Sequence, residues 1–277
     1  MANIPGAPAR PTRGIDSAQD KGVVVTGGGN GIGRALAIRL AEEGAHVVVN
    51  DLDASAAEEV ASHVGGICIP ADLGTPEGPE QLVTQSIEAL SRIDIFCGNA
   101  GIAAGGSIET DDADWARALN VNLMAHVRAA RALVPHWLNS GGGHYIVTAS
   151  AAGLLTMIGN GPYSVSKHAA VAFAEWLDIE YGNRGISAQA VCPQGVDSQM
   201  LRNSGAVEQL LSRDTALPPD AVAAAVVTDM QAGRFLTLPH PEVADYYAAR
   251  ATDTDRWLHG MRHLHNRTFH FTGSDRR

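Results

Sequence analysis

The sequence predicts an α/β fold, a doubly wound parallel sheet with helices on both faces, because short β-branched runs alternate with longer amphipathic stretches. Between residues 22 and 72 the alternation reads GVVVTG, IGRALAIRLAEEG, HVVVND, ASAAEEVASHV and ICIPAD. This alternation is typical of βαβ units. Four later runs, IDIFCGNA, HYIVTAS, ISAQAVCP and RFLTLP, bring the predicted strands to seven.

Composition limits the kinds of partner. The chain has 277 residues, is 45% apolar and carries a formal charge of −10. An acidic chain binds a phosphate backbone poorly, so we expect no nucleic-acid partner. No apolar run reaches the roughly 18 residues of a membrane span, so we expect a soluble protein without a membrane partner. Cys68, Cys97 and Cys192 lie in apolar runs without CxxC spacing, which favours buried thiols in a reducing cytoplasm.

The chain shows one predicted domain after a leader. Residues 1–20 are rich in Pro, Gly and polar residues without periodicity, which predicts a flexible N-terminal leader. No repeat or low-complexity linker divides residues 21–277, so we expect a single domain. Within it we predict a substrate lid at about 198–218 and a C-terminal helix at about 242–265.

The stretch VVVTGGGNGIGRAL carries the first functional motif. Gly27, Gly31 and Gly33 follow a buried strand and lead directly into a helix. Such a turn brings bare backbone and a helix N-terminus to a pyrophosphate. The GxxxGxG spacing differs from GxGxxG, and a tight strand-to-helix turn without a ligand is the alternative.

The second strand ends in an acidic residue, Asp51. A carboxylate at this place can accept hydrogen bonds from the adenosine ribose hydroxyls and repels the additional phosphate of NADP. Asn30 and Leu52 stand where a cation for that phosphate would be expected. The pattern therefore favours NAD, the alternative being an ordinary solvated carboxylate.

Tyr163 and Lys167, in GPYSVSKHAAVAF, lie four residues apart at the start of an apolar helix. Positions i and i+4 share one helix face, so both side chains can point at the same object. Taken alone, the pair is a weak signal and favours an interfacial tyrosine beside a solvated lysine.

Together, TGGGNGIG, CGNAGI, the serine of YIVTAS, YSVSK and CPQGV resemble, in this order, the short-chain dehydrogenases/reductases of the compact single-domain type. The resemblance covers about residues 21–200. It implies a Rossmann-type sheet of strand order 3-2-1-4-5-6-7 and a nicotinamide cofactor. It also implies a homodimer or homotetramer, formed through the long helices that begin near Asp112 and Pro162.

The resemblance implies a catalytic set of Asn122, Ser150, Tyr163 and Lys167. Tyr163 would exchange a proton with the substrate, its phenol pKa lowered by the Lys167 ammonium. Ser150 would hold the substrate oxygen. Lys167 would also bind the nicotinamide ribose hydroxyls.

Asn122 would anchor a water that relays protons to Lys167. Asn120 is the alternative, because Ala125 stands where the family often has glycine.

The resemblance also implies a set of cofactor contacts along the strand ends. Asp72 and Leu73 would flank the adenine, the alternative being strand-end turn residues. Gln194 stands where the family has glycine, and it either lines the substrate site or points outward. The predicted cofactor-binding residues are Gly27, Asn30, Gly31, Ile32, Gly33, Asp51, Leu52, Asp72, Leu73, Asn99, Ala100, Gly101, Tyr163, Lys167, Pro193, Val196 and Ser198.

The predicted activity is NAD-dependent interconversion of a secondary alcohol and a ketone, with a small-molecule substrate. The apolar segments AAGLLTMIG and AVEQLL favour an apolar, cyclic or aromatic substrate. The alternatives are an NADPH-dependent ketoacyl-carrier-protein reductase and a non-catalytic NAD-sensing module.

Two features of the C-terminal region are expected to lie outside the site. The stripe of Tyr246, Tyr247, Trp257 and Met261 favours core or a subunit interface over a substrate contact. His259, His263 and His265 lack a carboxylate or cysteine cluster at ligand spacing, so we expect surface histidines and no metal.

Overall fold

A parallel sheet organises the chain. The computed structural model describes residues 15–103, 106–203 and 216–269. The strands are β1 (Gly22–Thr26), β2 (His46–Asn50), β3 (Ile67–Cys68), β4 (Ile95–Gly98), β5 (Gly143–Thr148), β6 (Ile186–Val191) and β7 (Leu236–Thr237). They form one seven-stranded sheet in the order β3-β2-β1-β4-β5-β6-β7, which confirms the predicted fold class and strand order.

Helices connect the strands and cover both faces of the sheet. They are α1 (Gly31–Glu42), α2 (Ala54–Val64), α3 (Gly78–Leu90), α4 (Asp112–Leu119), α5 (Ala125–Ser140), α6 (Ala152–Leu155), α7 (Gly161–Tyr181), α8 (Gln199–Arg202), α9 (Pro219–Gln231), α10 (Glu242–Thr252) and α11 (Thr254–Phe269). A π-helical turn, Asn120–Met124, joins α4 to α5. Within the described residues, no helix combines the length and apolar character needed to cross a membrane.

Two apolar cores lie on opposite faces of the sheet. Along β1, Val23 and Val25 pack with residues of α1, α2 and α9, whereas Val24 packs with residues of α3, α5 and α7. Successive side chains of a strand point to opposite faces, so a strand buried on both sides is apolar throughout. This explains the unbroken valine run of the sequence.

The sheet reverses its strand order between β1 and β4, which are direct neighbours. Connections leave these two strands in opposite directions, and this opens a crevice at their carboxyl ends. The glycine loop follows β1, Asn99 follows β4 and Ser150 follows β5. The topology therefore collects the predicted site residues at one edge of the sheet.

The predicted leader boundary at residue 20 is wrong for the described residues 15–20. The side chain of Ala18 is fully buried in the core that contains α1 and α9. The Asp20 amide donates to the Gly44 carbonyl at 3.0 Å. One small apolar side chain in a turn leaves no periodic signal, so the pattern missed it. Residues 1–14 lie outside the described part.

The single C-terminal helix predicted at about 242–265 is wrong, because α10 and α11 meet at Asp253. Asp253 has φ −144° and ends α10. Its carboxylate then accepts from the Arg256 amide at 3.0 Å, which caps the next helix. Of the predicted lid, residues 198–203 and 216–218 are described, and AVEQLL lies outside the described residues.

Candidate active site

The glycine loop has no room for side chains at two positions. A Cβ at Gly27, whose φ is +60°, would lie 2.9 Å from Ala100 Cα. A Cβ at Gly33 would lie 2.5 Å from Asn99 Nδ2. Asn30 begins α1 in extended conformation, and the first turn of α1 carries no acidic residue. The loop therefore presents backbone and a helix N-terminus suited to an anion.

Asp51 lies next to the glycine loop. Its Oδ2 accepts from the Gly29 amide at 3.0 Å, and its Oδ1 accepts from the Asp53 amide at 3.1 Å. Leu52, the residue after Asp51, is 76% exposed. The two amides fix a negative charge at the end of β2.

Asn99 and Ala100 are held against the loop by Thr26, which the sequence analysis did not select. Thr26 Oγ1 accepts from the Asn99 and Ala100 amides, at 2.8 and 3.0 Å. Asn99 Nδ2 donates to the carbonyls of Thr26 and Gly27, at 3.0 and 3.2 Å. The strand-end threonine was the available signal, since its hydroxyl can bond two amides at once.

Ser150, Tyr163 and Lys167 come together at the carboxyl end of β5. The Lys167 Nζ lies 5.8 Å from the centroid of the Tyr163 ring. It donates to the Thr148 carbonyl at 2.8 Å. Asn160 caps α7 by accepting from the Tyr163 amide at 3.1 Å, which fixes the start of the helix that carries both side chains.

Burial dominates the protonation of this cluster. It raises the pKa of Tyr163, and a hydrogen bond with Ser150 acts in the opposite direction. It lowers the pKa of Lys167 to about 8. In the chain without cofactor, burial thus outweighs the hydrogen bond that favours the phenolate, and the expected lowering of the phenol pKa stays a prediction for the enzyme with bound cofactor.

The structure separates Asn122 from its alternative, Asn120. Asn122 is fully buried in the π-helical turn. It accepts from the Ile102 amide at 2.8 Å, and it donates to the Ile102 carbonyl at 2.9 Å and to Ser166 Oγ at 3.0 Å. Asn120 Oδ1 instead accepts from Arg128.

Asn122 and Lys167 approach each other beside Gly101. A Cβ at Gly101 would lie 3.3 Å from Asn122 Oδ1 and 3.2 Å from Lys167 Nζ. Of the two asparagines, Asn122 is therefore the one near the lysine.

The remaining predicted cofactor residues lie at strand ends around the crevice. Asp72 is exposed and accepts from the Gly74 amide at 2.8 Å, while Leu73 is buried. The Pro193 carbonyl accepts from the Ala151 amide at 2.8 Å. Val196 forms an isolated parallel bridge with Leu217. Ser198 caps α8.

One cavity of about 670 Å³ connects the glycine loop with the Ser150, Tyr163 and Lys167 cluster. Gln194 lines the cavity, which favours a place in the substrate site over an outward orientation. The predicted residues that line it are Gly27, Asn30, Gly31, Ile32, Asn99, Ala100, Gly101, Ser150, Tyr163, Lys167, Pro193, Val196 and Ser198. Those absent from its lining are Gly33, Asp51, Leu52, Asp72, Leu73 and Asn122.

The C-terminal helices also line this cavity, contrary to expectation. Tyr246, Trp257 and Met261 contribute to its wall, together with Leu264, which the sequence analysis did not select. Tyr247 is 40% exposed and is absent from the lining. Helical periodicity cannot distinguish a stripe that faces a core from one that faces a cavity, so the sequence could not predict that this stripe lines the cavity.

The histidines of α11 are exposed or half-buried. His259 and His263 bring their Nε2 atoms within 2.9 Å of each other. Within the described residues, His, Cys, Asp and Glu side chains do not gather in groups of three or more that could hold a metal ion.

Comparison with known proteins identifies the family. The model of the short chain dehydrogenase family matches residues 21–209. The chain belongs to this family. It is therefore an oxidoreductase of the short-chain dehydrogenase/reductase type, with a Rossmann-type nucleotide-binding fold for a nicotinamide cofactor.

Three known proteins are similar to this short-chain dehydrogenase over most of its length. It is 33% identical over 250 residues to the 1-deoxy-11-beta-hydroxypentalenate dehydrogenase of Streptomyces avermitilis, covering 87% of this chain and 92% of that one. It superposes with TM-score 0.80 and 27% identity on a short chain dehydrogenase/reductase from Burkholderia phymatum in complex with NAD, over 86% and 95% of the two chains. A short chain dehydrogenase from Burkholderia cenocepacia in complex with NADP gives TM-score 0.73 and 29% identity, over 80% and 96%.

The site fits a nicotinamide dinucleotide on its own geometry. The glycine loop and the N-terminus of α1, which has no acidic residue in its first turn, line the cavity through Gly27, Gly31 and Ile32. Among the described residues, the buried hydroxyl of Thr148 has no hydrogen-bond partner, and Thr148 lines the cavity. A buried orphan of this kind is consistent with a polar ligand.

Proposed function

We propose that this short-chain dehydrogenase interconverts a secondary alcohol and a ketone on an apolar substrate, with NAD as its cofactor. The observation that carries the proposal is the placement of Ser150, Tyr163 and Lys167 on one cavity wall that continues into the glycine loop. A fold alone requires none of these three side chains.

Asp51 supports NAD over NADP. Its carboxylate is held by two main-chain amides beside the glycine loop, where it can accept hydrogen bonds from ribose hydroxyls. A phosphate on the same ribose would meet this negative charge. The cofactor would lie along the loop and along Asp72, Leu73 and the Asn99–Gly101 segment, with Val196 and Ser198 at its nicotinamide end.

The catalytic roles follow from chemistry and burial. Tyr163 takes the hydroxyl proton of the alcohol, and Ser150 donates a hydrogen bond to the substrate oxygen as negative charge develops on it. NAD, when bound, supplies the hydride acceptor and a positive ring charge. Because burial raises the pKa of Tyr163 in the chain alone, a nearby positive charge favours its proton release.

Lys167 and Asn122 complete the proton path. The Lys167 ammonium, with a pKa lowered by burial to about 8, can exchange a proton near neutral pH. Asn122 positions the segment around Ile102 and stands close to the lysine, where it can hold a water.

A homodimer or homotetramer is proposed to form through α7. Val165 and Trp176 are about half exposed, and Ile179 is 79% exposed, along the outer face of this helix. Exposed apolar rows of this kind are typical of subunit interfaces. A reducing cytoplasm stays a prediction from the cysteine content.

The proposed function is tested by formation of reduced nicotinamide from NAD, and separately from NADP, across a panel of apolar secondary alcohols. We expect turnover with NAD and weak turnover with NADP. Binding of NAD without turnover of any alcohol would favour the sensing module instead.

A further inference from the structure

Helix α11 carries an apolar stripe that lines the cavity, and Trp257 of this stripe also packs against the core on one face of the sheet. None of its side chains is buried, yet Trp257, Met261 and Leu264 are half-buried and line the cavity. Tyr246 of α10 joins them, with its ring centroid 6.3 Å from that of Trp257. An apolar stripe whose partner is a cavity is a surface for a ligand. We call these four residues the C-terminal wall.

One fixed point holds the C-terminal wall at α10. Arg250 Nη1 donates to the Leu154 carbonyl and to His168 Nε2, the latter at 3.1 Å. His168 Nδ1 lies 2.9 Å from the Ser164 carbonyl, so it carries the proton and leaves Nε2 free to accept from the arginine. Arg250 therefore ties α10 to α6 and α7.

A second fixed point holds the far end of α11. The ring of Phe269 packs so closely on Gly159 that a Cβ there has no room, and Gly159 has φ +74°. Leu154 and Gly159 both belong to the segment between Ser150 and Tyr163. The C-terminal wall is thus anchored to the same segment that sets the distance between these two side chains.

Charge restricts what the cavity can hold. Among the described residues that line it, Lys167 is the one basic residue, and neither Asp nor Glu occurs there. Arg250 is absent from the lining and is occupied by its two acceptors. A substrate carboxylate or phosphate would be desolvated here without a dedicated partner, which is costly.

We propose that the C-terminal wall binds the body of the substrate, and that this body is apolar and uncharged. Trp257 provides the main contact, and Arg250 is a positioning residue that holds the C-terminal wall in place. The proposal rests on the proposed function, whose hydroxyl chemistry at Tyr163 fixes one end of the substrate.

The test compares Trp257→Ala with Leu258→Ala on three secondary alcohols, namely cyclohexanol, 2-decalol and 4-hydroxycyclohexanecarboxylate. Leu258 is the matched control, because it follows Trp257 in the same helix, is 47% exposed and is absent from the lining. We expect Trp257→Ala to lower kcat/KM for 2-decalol about 10- to 100-fold, through KM, with little change for cyclohexanol. Leu258→Ala should match the unmodified enzyme on both.

The unmodified enzyme should prefer 2-decalol to cyclohexanol, and cyclohexanol to its carboxylate by roughly tenfold or more. Arg250→Ala should raise KM for 2-decalol more than it raises KM for cyclohexanol. Arg250→Lys, which keeps a donor for the Leu154 carbonyl, should recover part of the loss. If Arg250 had only a structural role, Arg250→Ala would lower kcat/KM for both substrates by the same factor.

Binding without turnover separates this proposal from the proposed function. In the presence of NAD, which cannot reduce a ketone, calorimetry should detect binding of 2-decalone to the unmodified protein and to Leu258→Ala, and a loss in Trp257→Ala. This result upholds the C-terminal wall even if no alcohol is oxidised, in which case the proposed function alone fails.

The proposal would be overturned by equal losses of kcat/KM in Trp257→Ala and Leu258→Ala. It would also be overturned by equal kcat/KM for cyclohexanol and its carboxylate, or by the absence of ketone binding. A change of oligomeric state in Trp257→Ala with unchanged kcat/KM would likewise overturn it, because it would make the C-terminal wall a subunit interface.

Discussion

Lys167 donates a hydrogen bond from its Nζ to the main-chain carbonyl of Thr148, at 2.8 Å, and so joins the helix of Tyr163 to the strand that leads to Ser150. Lys167 is 3% exposed. A buried ammonium is held here at a cost to folding, because burial disfavours its charged form.

This cost predicts that Lys167→Met stabilises the protein while abolishing activity. Burial lowers the pKa of Lys167 from 10.5 to about 8. Between these two values the unfolded chain holds more protons than the folded chain, so stability rises with pH across that window. We expect Lys167→Met to increase the free energy of unfolding near pH 7 by roughly 1–3 kcal/mol. The free energy of the lost hydrogen bond to Thr148 reduces this gain.

Guanidinium unfolding at several pH values measures this effect, and the variant should also lose the rise between about pH 8 and 10.5. A variant less stable than the unmodified protein at neutral pH would show that the hydrogen bond to Thr148 outweighs the desolvation.

Asp51→Asn should narrow the preference for NAD over NADP. The asparagine keeps an acceptor for one of the Gly29 and Asp53 amides and removes the charge that meets a ribose phosphate. We expect the ratio of the two dissociation constants to fall about tenfold or more in calorimetric titrations.

Asp53→Asn is the matched control, since Asp53 caps α2 through the Ser55 and Ala56 amides and should leave the ratio unchanged. If the unmodified protein binds NADP as tightly as NAD, the role of Asp51 is disproved.

Asn122→Ala should be far more damaging than Asn120→Ala. Asn122 is fully buried and bonds both main-chain groups of Ile102 and the hydroxyl of Ser166. Leaving these partners unsatisfied should cost about 2 kcal/mol or more and lower kcat. Asn120→Ala removes the contact with Arg128 and should cost about 0.5–1 kcal/mol with normal kcat. Similar losses in the two variants would contradict the assignment.

His126 should contribute to acid sensitivity. It is fully buried beside Tyr145 and Phe173, and burial lowers its pKa from 6.5 to about 3, with the Lys167 charge adding to the effect. Below pH 6.5 the unfolded chain binds a proton that the folded chain does not bind. The free energy of unfolding therefore decreases as the pH is lowered.

We expect His126→Phe to lose less stability than the unmodified protein between about pH 6.5 and 4 in guanidinium unfolding. His63→Gln, a change at an exposed histidine of α2, should behave like the unmodified protein. An unchanged pH slope in His126→Phe would show that other groups, such as the buried His144, account for the acid sensitivity.

Periodicity and strand-end chemistry predicted the sheet because the strands are short, largely apolar runs followed within a few residues by Gly, Asn, Asp, Ser or Pro. The strand order followed from the family resemblance and agrees with the observed sheet. The choice between Asn120 and Asn122 required the π-helical turn, since a local change in helical repeat decides which side chain turns inward.

Three further features depended on tertiary structure. The burial of Ala18 depends on a pocket between distant elements. The rise of the Tyr163 pKa on burial could not be predicted, because desolvation cannot be judged from residue spacing. The C-terminal wall was not predicted, because Trp257 and Met261 have the spacing of core residues. The break at Asp253 did leave a signal, an aspartate at a helix start, which the helical pattern on either side obscured.

The most direct measurement is the rate of reduced-nicotinamide formation from NAD and an apolar secondary alcohol by the unmodified enzyme and by Tyr163→Phe. Removal of the phenol hydroxyl should lower kcat by roughly 10²- to 10⁴-fold, because proton transfer then lacks its positioned group. NAD affinity and thermal stability should change far less than kcat, which isolates the chemical step. A Tyr163→Phe enzyme that keeps most of its turnover would contradict the assignment of Tyr163 as the proton-transfer group.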